Sequence, residues 1–273
     1  MKSTCQHPEQ IQRFRTMPPT PSPVALVTGA SRGIGKCIAQ QLAARGMRIA
    51  LHYHRNRKAA EETLHSLKGD GHALFTADLG AADAPAKLFE EVMAKLGRID
   101  VLVNNAGIFE MHPIQEVDYA QWQDAWQRTL ALNLFAPAHL TFLTAKQMAK
   151  QGGGRIINIS SRGAFGGQVT TPAYSASKAA LNSMGHSFAA AYGREQVLVF
   201  TIAPSWVDTD MAAPHIHGAN EEKVLEKVLE KIPLGRVNTA EEVASTATWL
   251  ALDAPATLTG CIIDMNGAVL MRP

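Results

Sequence analysis

The chain has 273 residues, 46% of them hydrophobic, enough to build a large core in one α/β domain or two small ones. A net charge of +2 with dispersed Lys and Arg excludes a nucleic-acid footprint, and no apolar run approaches the roughly 20 residues that span a bilayer. Cys5, Cys37 and Cys261 have neither metal nor disulfide spacing and read as reduced thiols, so a soluble cytoplasmic protein is expected.

Residues 1–23 end in Met17-Pro18-Pro19-Thr20-Pro21-Ser22-Pro23, lack the apolar stretch of a secretory signal, and are expected to form a flexible arm. From Val24 onward short apolar runs alternate with helical stretches, the pattern of parallel strands joined by crossover helices. Strands are predicted near 24–28, 48–53, 72–77, 100–104, 154–160, 197–203 and 259–265. The expected fold class is α/β: a single-domain Rossmann fold over residues 24–273, with helices on both faces of a doubly wound parallel sheet of about seven strands.

The first strand runs into Thr28-Gly29-Ala30-Ser31-Arg32-Gly33-Ile34-Gly35. Glycines at 29, 33 and 35 let the backbone turn tightly and approach a pyrophosphate at a helix N-terminus. The second strand ends at Tyr53, followed by His54-Arg55-Asn56-Arg57-Lys58 with no acid before Glu61. The third leads to Ala77-Asp78-Leu79 and the fourth to Asn104-Asn105-Ala106-Gly107. A long helix over about 119–149 carries Trp122, Trp126 and Asn133. The fifth run, Arg155 to Ser160, stops at Ser161, and Tyr174 follows thirteen residues later. Lys178 lies four residues beyond Tyr174, on the same helical face. An ammonium beside a phenol favours the phenolate, lowering a pKa that is about 10 in isolation, which makes tyrosine usable in proton transfer. The sixth strand opens into Ala203-Pro204-Ser205-Trp206-Val207-Asp208-Thr209.

The glycine turn with its G-x-x-x-G-x-G spacing, the N-N-A-G run, Ser161 and Y-x-x-x-K stand in the order and at the intervals of the short-chain dehydrogenase/reductase family, which the chain strongly resembles from about Val24 to Met271. The resemblance implies that Gly29, Ser31, Arg32, Gly33, Ile34 and Gly35 meet the pyrophosphate and adenosine-ribose side of a dinucleotide. It places Asp78, with Leu79, beside the adenine, and Asn104 with Asn105, Ala106 and Gly107 along the cofactor cleft. Asp78 has a plainer alternative, capping a helix that starts near Asp83. Charge argues the choice of cofactor: a carboxylate at the end of the second strand would accept a ribose 2′-hydroxyl, whereas Tyr53, His54 and Arg55, with Arg32 nearby, suit a 2′-phosphate. The expected cofactor is NADP(H).

At the other end the resemblance makes Tyr174 the acid/base, Lys178 the group that lowers its pKa and bonds the nicotinamide ribose, and Ser161 the holder of the substrate oxygen. Tyr174 therefore also counts among the cofactor contacts. Asn133 corresponds to the member that anchors a water for proton relay, with a core amide as the alternative. The family usually has P-G-x-x-x-T after strand six, with Pro204, the Val207 backbone and the Thr209 hydroxyl at the nicotinamide half. Ser205 replaces the glycine, and would be strained if that position needs φ > 0.

The expected activity is reduction of a small-molecule carbonyl to an alcohol, or the reverse. Alternatives are a 3-oxoacyl-thioester reductase, a pteridine-type reductase, and a non-catalytic NADP-binding sensor. The overall shape is similar to 3-oxoacyl-[acyl-carrier-protein] reductases, but Gly152 and Glu195 fall near where their carrier-binding arginines would lie, with Lys146, Lys150 and Arg194 close by. His52-Tyr53-His54-Arg55 resembles pteridine reductases, which typically carry an aspartate in place of Ser161. Phe109, Phe165, Trp206 and Met211 are plausible apolar lining. His215 and His217 lack a third ligand, so no metal is expected. A homotetramer or homodimer is expected, built on the helices carrying Asn133 and Tyr174.

Overall fold

The structure is a computed structural model and describes residues 22–209 and 229–272. Its first half comprises β1 (Val24–Val27), α1 (Gly33–Ala44), β2 (Arg48–Tyr53), α2 (Arg57–His65), β3 (Ala73–Thr76), α3 (Ala84–Leu96) and β4 (Val101–Asn104). There follow α4 (Tyr119–Leu130), a π-helical turn (Ala131–Phe135), α5 (Ala136–Gln151), β5 (Gly154–Ile159), α6 (Pro172–Tyr192), β6 (Val197–Pro204), α7 (Ala240–Leu252) and β7 (Ile262–Met265).

Seven strands pair in parallel in the order β3-β2-β1-β4-β5-β6-β7, the doubly wound sheet that the alternation predicts. Successive side chains of a strand point to opposite faces, and both faces here are covered, so the strands are apolar throughout. Ala25 and Val27 of β1 pack in one cluster with Ile38 and Leu42 of α1 and Val243 and Leu250 of α7. Val24 and Leu26 join the other cluster, with Leu88 of α3 and Leu140 and Met148 of α5. Strand order reverses between β1 and β4, and in such sheets ligands bind outside the carboxyl ends at that point.

The expected 119–149 helix is interrupted by the π turn at Ala131–Phe135. Pro137 explains it: proline has no N–H for the carbonyl four residues back, that of Asn133, and its ring would collide with it. A locally wider turn removes the collision, and such turns recur at functional positions. β7 also begins later than expected, after a 3-10 turn at Ala256–Leu258 and Gly260, whose φ is 85°. No helix among the described residues is long and apolar enough to cross a membrane. Most of the expected arm, Met211, His215, His217 and the neighbouring chain lie outside the described residues.

Candidate active site

The glycine turn after β1 is held by side chains from three strands. Gly29 and Gly33 have φ of 64° and 53°, in the left-handed region that favours glycine. A Cβ on Gly35 would stand 2.4 Å from the Gly29 carbonyl oxygen, so the turn closes only without one. Thr28 Oγ1 donates to the Val103 carbonyl at 3.1 Å and accepts from the Asn105 and Ala106 amides at 2.9 and 3.0 Å. Asn105 Nδ2 returns bonds to the Thr28 and Gly29 carbonyls at 2.8 and 3.2 Å.

The third support, which the sequence reading missed, is His52 on β2. The Gly29 N–H donates to its Nδ1 at 3.1 Å, which leaves Nε2 to donate to the Ala77 carbonyl at 3.1 Å. Burial pushes the imidazole down to about 4, so it is neutral, and one tautomer satisfies both bonds. His52 thus ties the glycine turn to the Ala77-Asp78-Leu79 loop; in sequence it reads only as part of a cationic run.

The turn delivers the first amides of α1. Its N-cap, Arg32, makes no side-chain capping bond and no acid lies in the first turn, so the donors and the positive helix end suit an anion. This donor set fits the phosphates of a dinucleotide. Beside it the Ser31 carbonyl accepts from Thr63 Oγ1 at 3.1 Å, and Ile34 packs against the core. Tyr53 is 6% exposed and belongs to the core, whereas His54 and Arg55 are exposed where β2 ends. His54 Nε2 lies 3.6 Å from the Asp78 carboxylate, and Arg57 pairs with Glu61 at 2.8 Å. Asp78 accepts the Gly80 N–H at 3.1 Å, while Asp83 is the N-cap of α3, so the capping alternative for Asp78 does not hold. Leu79 is buried beside Thr28 and Ala106. Asn104, expected along the cleft, donates instead to Thr141 Oγ1 and Asn158 Oδ1 at 3.0 and 2.9 Å, because its side chain points between β5 and α5.

Close approaches join the two ends of the cleft. A Cβ on Gly107 would lie 3.1 Å from Asn133 Oδ1 and 3.7 Å from Lys178 Nζ, and one on Gly33 would lie 3.4 Å from Thr209 Cγ2. The loop after β6 is fixed by a bridge between Val207 and Asn238, while Pro204 pairs with Met265 of β7. The Ser205 amide donates to the Met265 carbonyl at 2.9 Å. Among the described non-glycine residues only Gln196 and Ala268 have positive φ, so serine at 205 is unstrained.

Beside Tyr174 the Ser161 hydroxyl accepts the Gly163 N–H at 3.0 Å, and it acts on the phenol to favour the phenolate. Ser160 instead donates to the Lys178 carbonyl at 3.3 Å, away from the phenol, which favours Ser161 of the adjacent pair. Lys178 is buried, donates to the Ile159 carbonyl at 2.8 Å, and lies 5.7 Å from the Tyr174 ring centroid. Burial lowers its pKa to about 8. Burial raises that of Tyr174, opposed by Ser161, so the expected lowering by Lys178 is not seen. Asn133 accepts the Ile108 N–H at 2.8 Å and donates to the Ile108 carbonyl at 2.9 Å and Ser177 Oγ at 3.3 Å. Phe109 meets the Tyr174 ring edge-on at 4.8 Å and Trp206 at 6.3 Å, forming an aromatic wall, whereas Phe165 lies under the Arg272 guanidinium at 3.9 Å.

Residues 23–220 match the family model described as short chain dehydrogenase. The chain is 36% identical over 251 residues to a 3-oxoacyl-[acyl-carrier-protein] reductase of Synechocystis sp., covering 91% of this chain and 97% of that one. It is equally 36% identical, over 252 residues, to a 2-dehydro-3-deoxy-D-gluconate 5-dehydrogenase of Bacillus subtilis, covering 91% and 94%. Among solved structures, a 3-oxoacyl (acyl-carrier-protein) reductase from Agrobacterium tumefaciens C58 with NADP bound superposes with a TM-score of 0.81 at 29% identity, over 90% of this chain and 93% of that one. With its parallel sheet, glycine turn and Ser161-Tyr174-Lys178 cluster, the chain belongs to the short-chain dehydrogenase family of oxidoreductases.

Proposed function

We propose that this protein is an NADP(H)-dependent carbonyl reductase, with Tyr174 as its acid/base. The observation that carries the reading is the cluster of half-buried Ser161 and Tyr174 with buried Lys178, next to the Gly107 loop. When bound, NADP(H) supplies the hydride chemistry. Ser161 and Tyr174 hold the substrate oxygen where negative charge develops, and Tyr174 donates the proton. Lys178 would hold a positive charge near the phenol and, with NADP(H) bound, would hold its ribose, while Asn133 would anchor the far side of the proton path.

NADP(H) in preference to NAD(H) is supported by the exposed His54 and Arg55 and by the lack of an acid at the end of β2. The relatives act by name on a 3-oxoacyl carrier-protein thioester and on a sugar acid, so the common class is a carbonyl or secondary alcohol. Assembly into a dimer or tetramer is supported on the α5 side by Phe135 and Phe142, which are 52% and 49% exposed.

The test is NADPH consumption across ketones, aldehydes, quinones and a β-ketoacyl thioester, with Tyr174→Phe as the blank. Tyrosine-dependent turnover of one class is expected. NADPH binding with no turnover of any class would favour the sensor alternative.

A further inference from the structure

α6 carries both Tyr174 and Lys178, and its first turn is not capped in the usual way. Pro172 opens the helix without an N–H, and the N-cap residue Thr171 makes no side-chain capping bond. Its hydroxyl is turned to Gln168 Oε1 instead. The first free amide, that of Ala173, sits directly before Tyr174 and is buried. A buried amide left without a partner is destabilising, so Ala173 needs one.

Its partner comes from 61 residues earlier: the Ala173 N–H donates to Nε2 of His112 at 3.2 Å. On the other side of the ring, Nδ1 lies 2.8 Å from the Glu110 carbonyl oxygen, so Nδ1 carries the proton and Nε2 the lone pair. A single neutral tautomer serves both contacts, and a second proton would set two N–H groups against each other at Ala173. His112 is 2% exposed and edge-on to Trp122 at 5.9 Å, so the ring has no room to turn away. Its backbone is held as well. Pro113 restricts His112 to extended conformations, and the amides of His112 and Ile114 donate to the Thr170 and Val169 carbonyls at 2.8 and 3.1 Å. The loop that carries Phe109 to the Tyr174 ring is therefore locked, through His112, to the first turn of α6.

We propose that His112 is the positioning residue of the phenol: by accepting the Ala173 amide proton it sets the start of α6, and so where Tyr174 stands against Ser161 and Phe109. The inference rests on Tyr174 as the acid/base, but it can be tested without substrate or cofactor. Tyr174 ionisation is read as the tyrosinate absorbance difference between each protein and its Tyr174→Phe counterpart. His112→Leu removes the acceptor, loosens the turn and admits water, which should lower the burial-raised phenol pKa. His112→Gln places an amide oxygen where Nε2 was and should restore the wild-type titration. Should His112→Leu fail to fold, His112→Asn replaces it, because its shorter amide occupies the Nδ1 position and not that of Nε2.

An unchanged titration in the acceptor-less variant, or the same shift in His112→Gln, would overturn the proposal. Thermal melts of each variant separate positioning from general destabilisation: a titration that follows the melting temperature across all three substitutions, with no rescue by Gln, also contradicts it. Full turnover by Tyr174→Phe would instead defeat the acid/base reading and leave the titration result standing by itself.

Discussion

The glycine turn and α6 solve the same placement problem with opposite materials. At the turn the chemistry belongs to backbone amides, and side chains from neighbouring strands, Thr28, Asn105 and His52, hold them. At α6 and the facing π turn the proposed chemistry belongs to side chains, and backbone groups hold those: the Ile159 carbonyl takes the Lys178 ammonium and the Ile108 peptide takes Asn133. Both regions use a buried histidine that accepts an amide proton from a remote segment; the other ring nitrogen faces the Ala77 carbonyl for His52 and the Glu110 carbonyl of its own loop for His112. The difference predicts how each end fails. A change at the turn should act on cofactor affinity and folding, and a change at the helix on turnover.

Lys178→Met should separate these effects most sharply. We expect turnover to fall at least 100-fold, within the span ascribed to acid–base catalysis. Stability should rise by on the order of 1–3 kcal/mol at pH 7, because a buried ammonium is replaced by an apolar chain. The sign follows from linkage: the folded pKa is lowered from 10.5 to about 8, so the penalty is complete below pH 8 and vanishes as pH rises through 10.5. Paired melts against pH check it, and a variant less stable than wild type at neutral pH would show that Lys178 is a structural anchor.

Gly35→Ala should act on the other end. Its Cβ would collide with backbone at 2.4 Å, and overpacking of this kind costs about 1–3 kcal/mol, with NADPH affinity falling in parallel. Calorimetric titration and melting together test it. Arg55→Asp should have a narrower effect, shifting the ratio of NADPH to NADH affinity by about tenfold, roughly one charge-assisted contact, with stability unchanged. An unaltered ratio would move the 2′-phosphate contact to Arg32 or His54.

The smallest effect expected at neutral pH is that of His52→Gln. The folded pKa of His52 is about 4 against 6.5 for the free group, so its contribution is intact above pH 6.5 and is lost as pH falls towards 4. The variant should lack this part of the acid destabilisation while losing little stability at neutral pH. Identical acid profiles for the two proteins would remove His52 from the account.

Much of this comparison was legible in the sequence, and the reason differs at each place. The strands of the sheet were visible because burial on both faces makes them unbroken apolar runs between helical stretches; β2 has the predicted bounds. The glycine turn was visible because an absent side chain is itself a local signal. The break at Asn133 had a signal too, Pro137 four residues on, but helical periodicity masked it. Ser205 raised an expectation of strain that depended on a dihedral no residue type reveals. His52 and His112 were illegible as supports, because the amides they accept arrive from 23 and 61 residues away. Asn104 misled for the same reason, since only the packed sheet decides which way its amide points.

The central claim is that the turn binds and the phenol reacts, each independently of the other. The most direct test is one preparation of Tyr174→Phe, assayed for NADPH affinity by titration and for turnover of the carbonyl class that wild type reduces. We predict NADPH affinity within about twofold of wild type and turnover reduced by about 10²–10⁴-fold. Turnover at the wild-type rate with NADPH still bound would contradict the assignment of Tyr174, and loss of NADPH binding along with turnover would contradict the separation of the two ends.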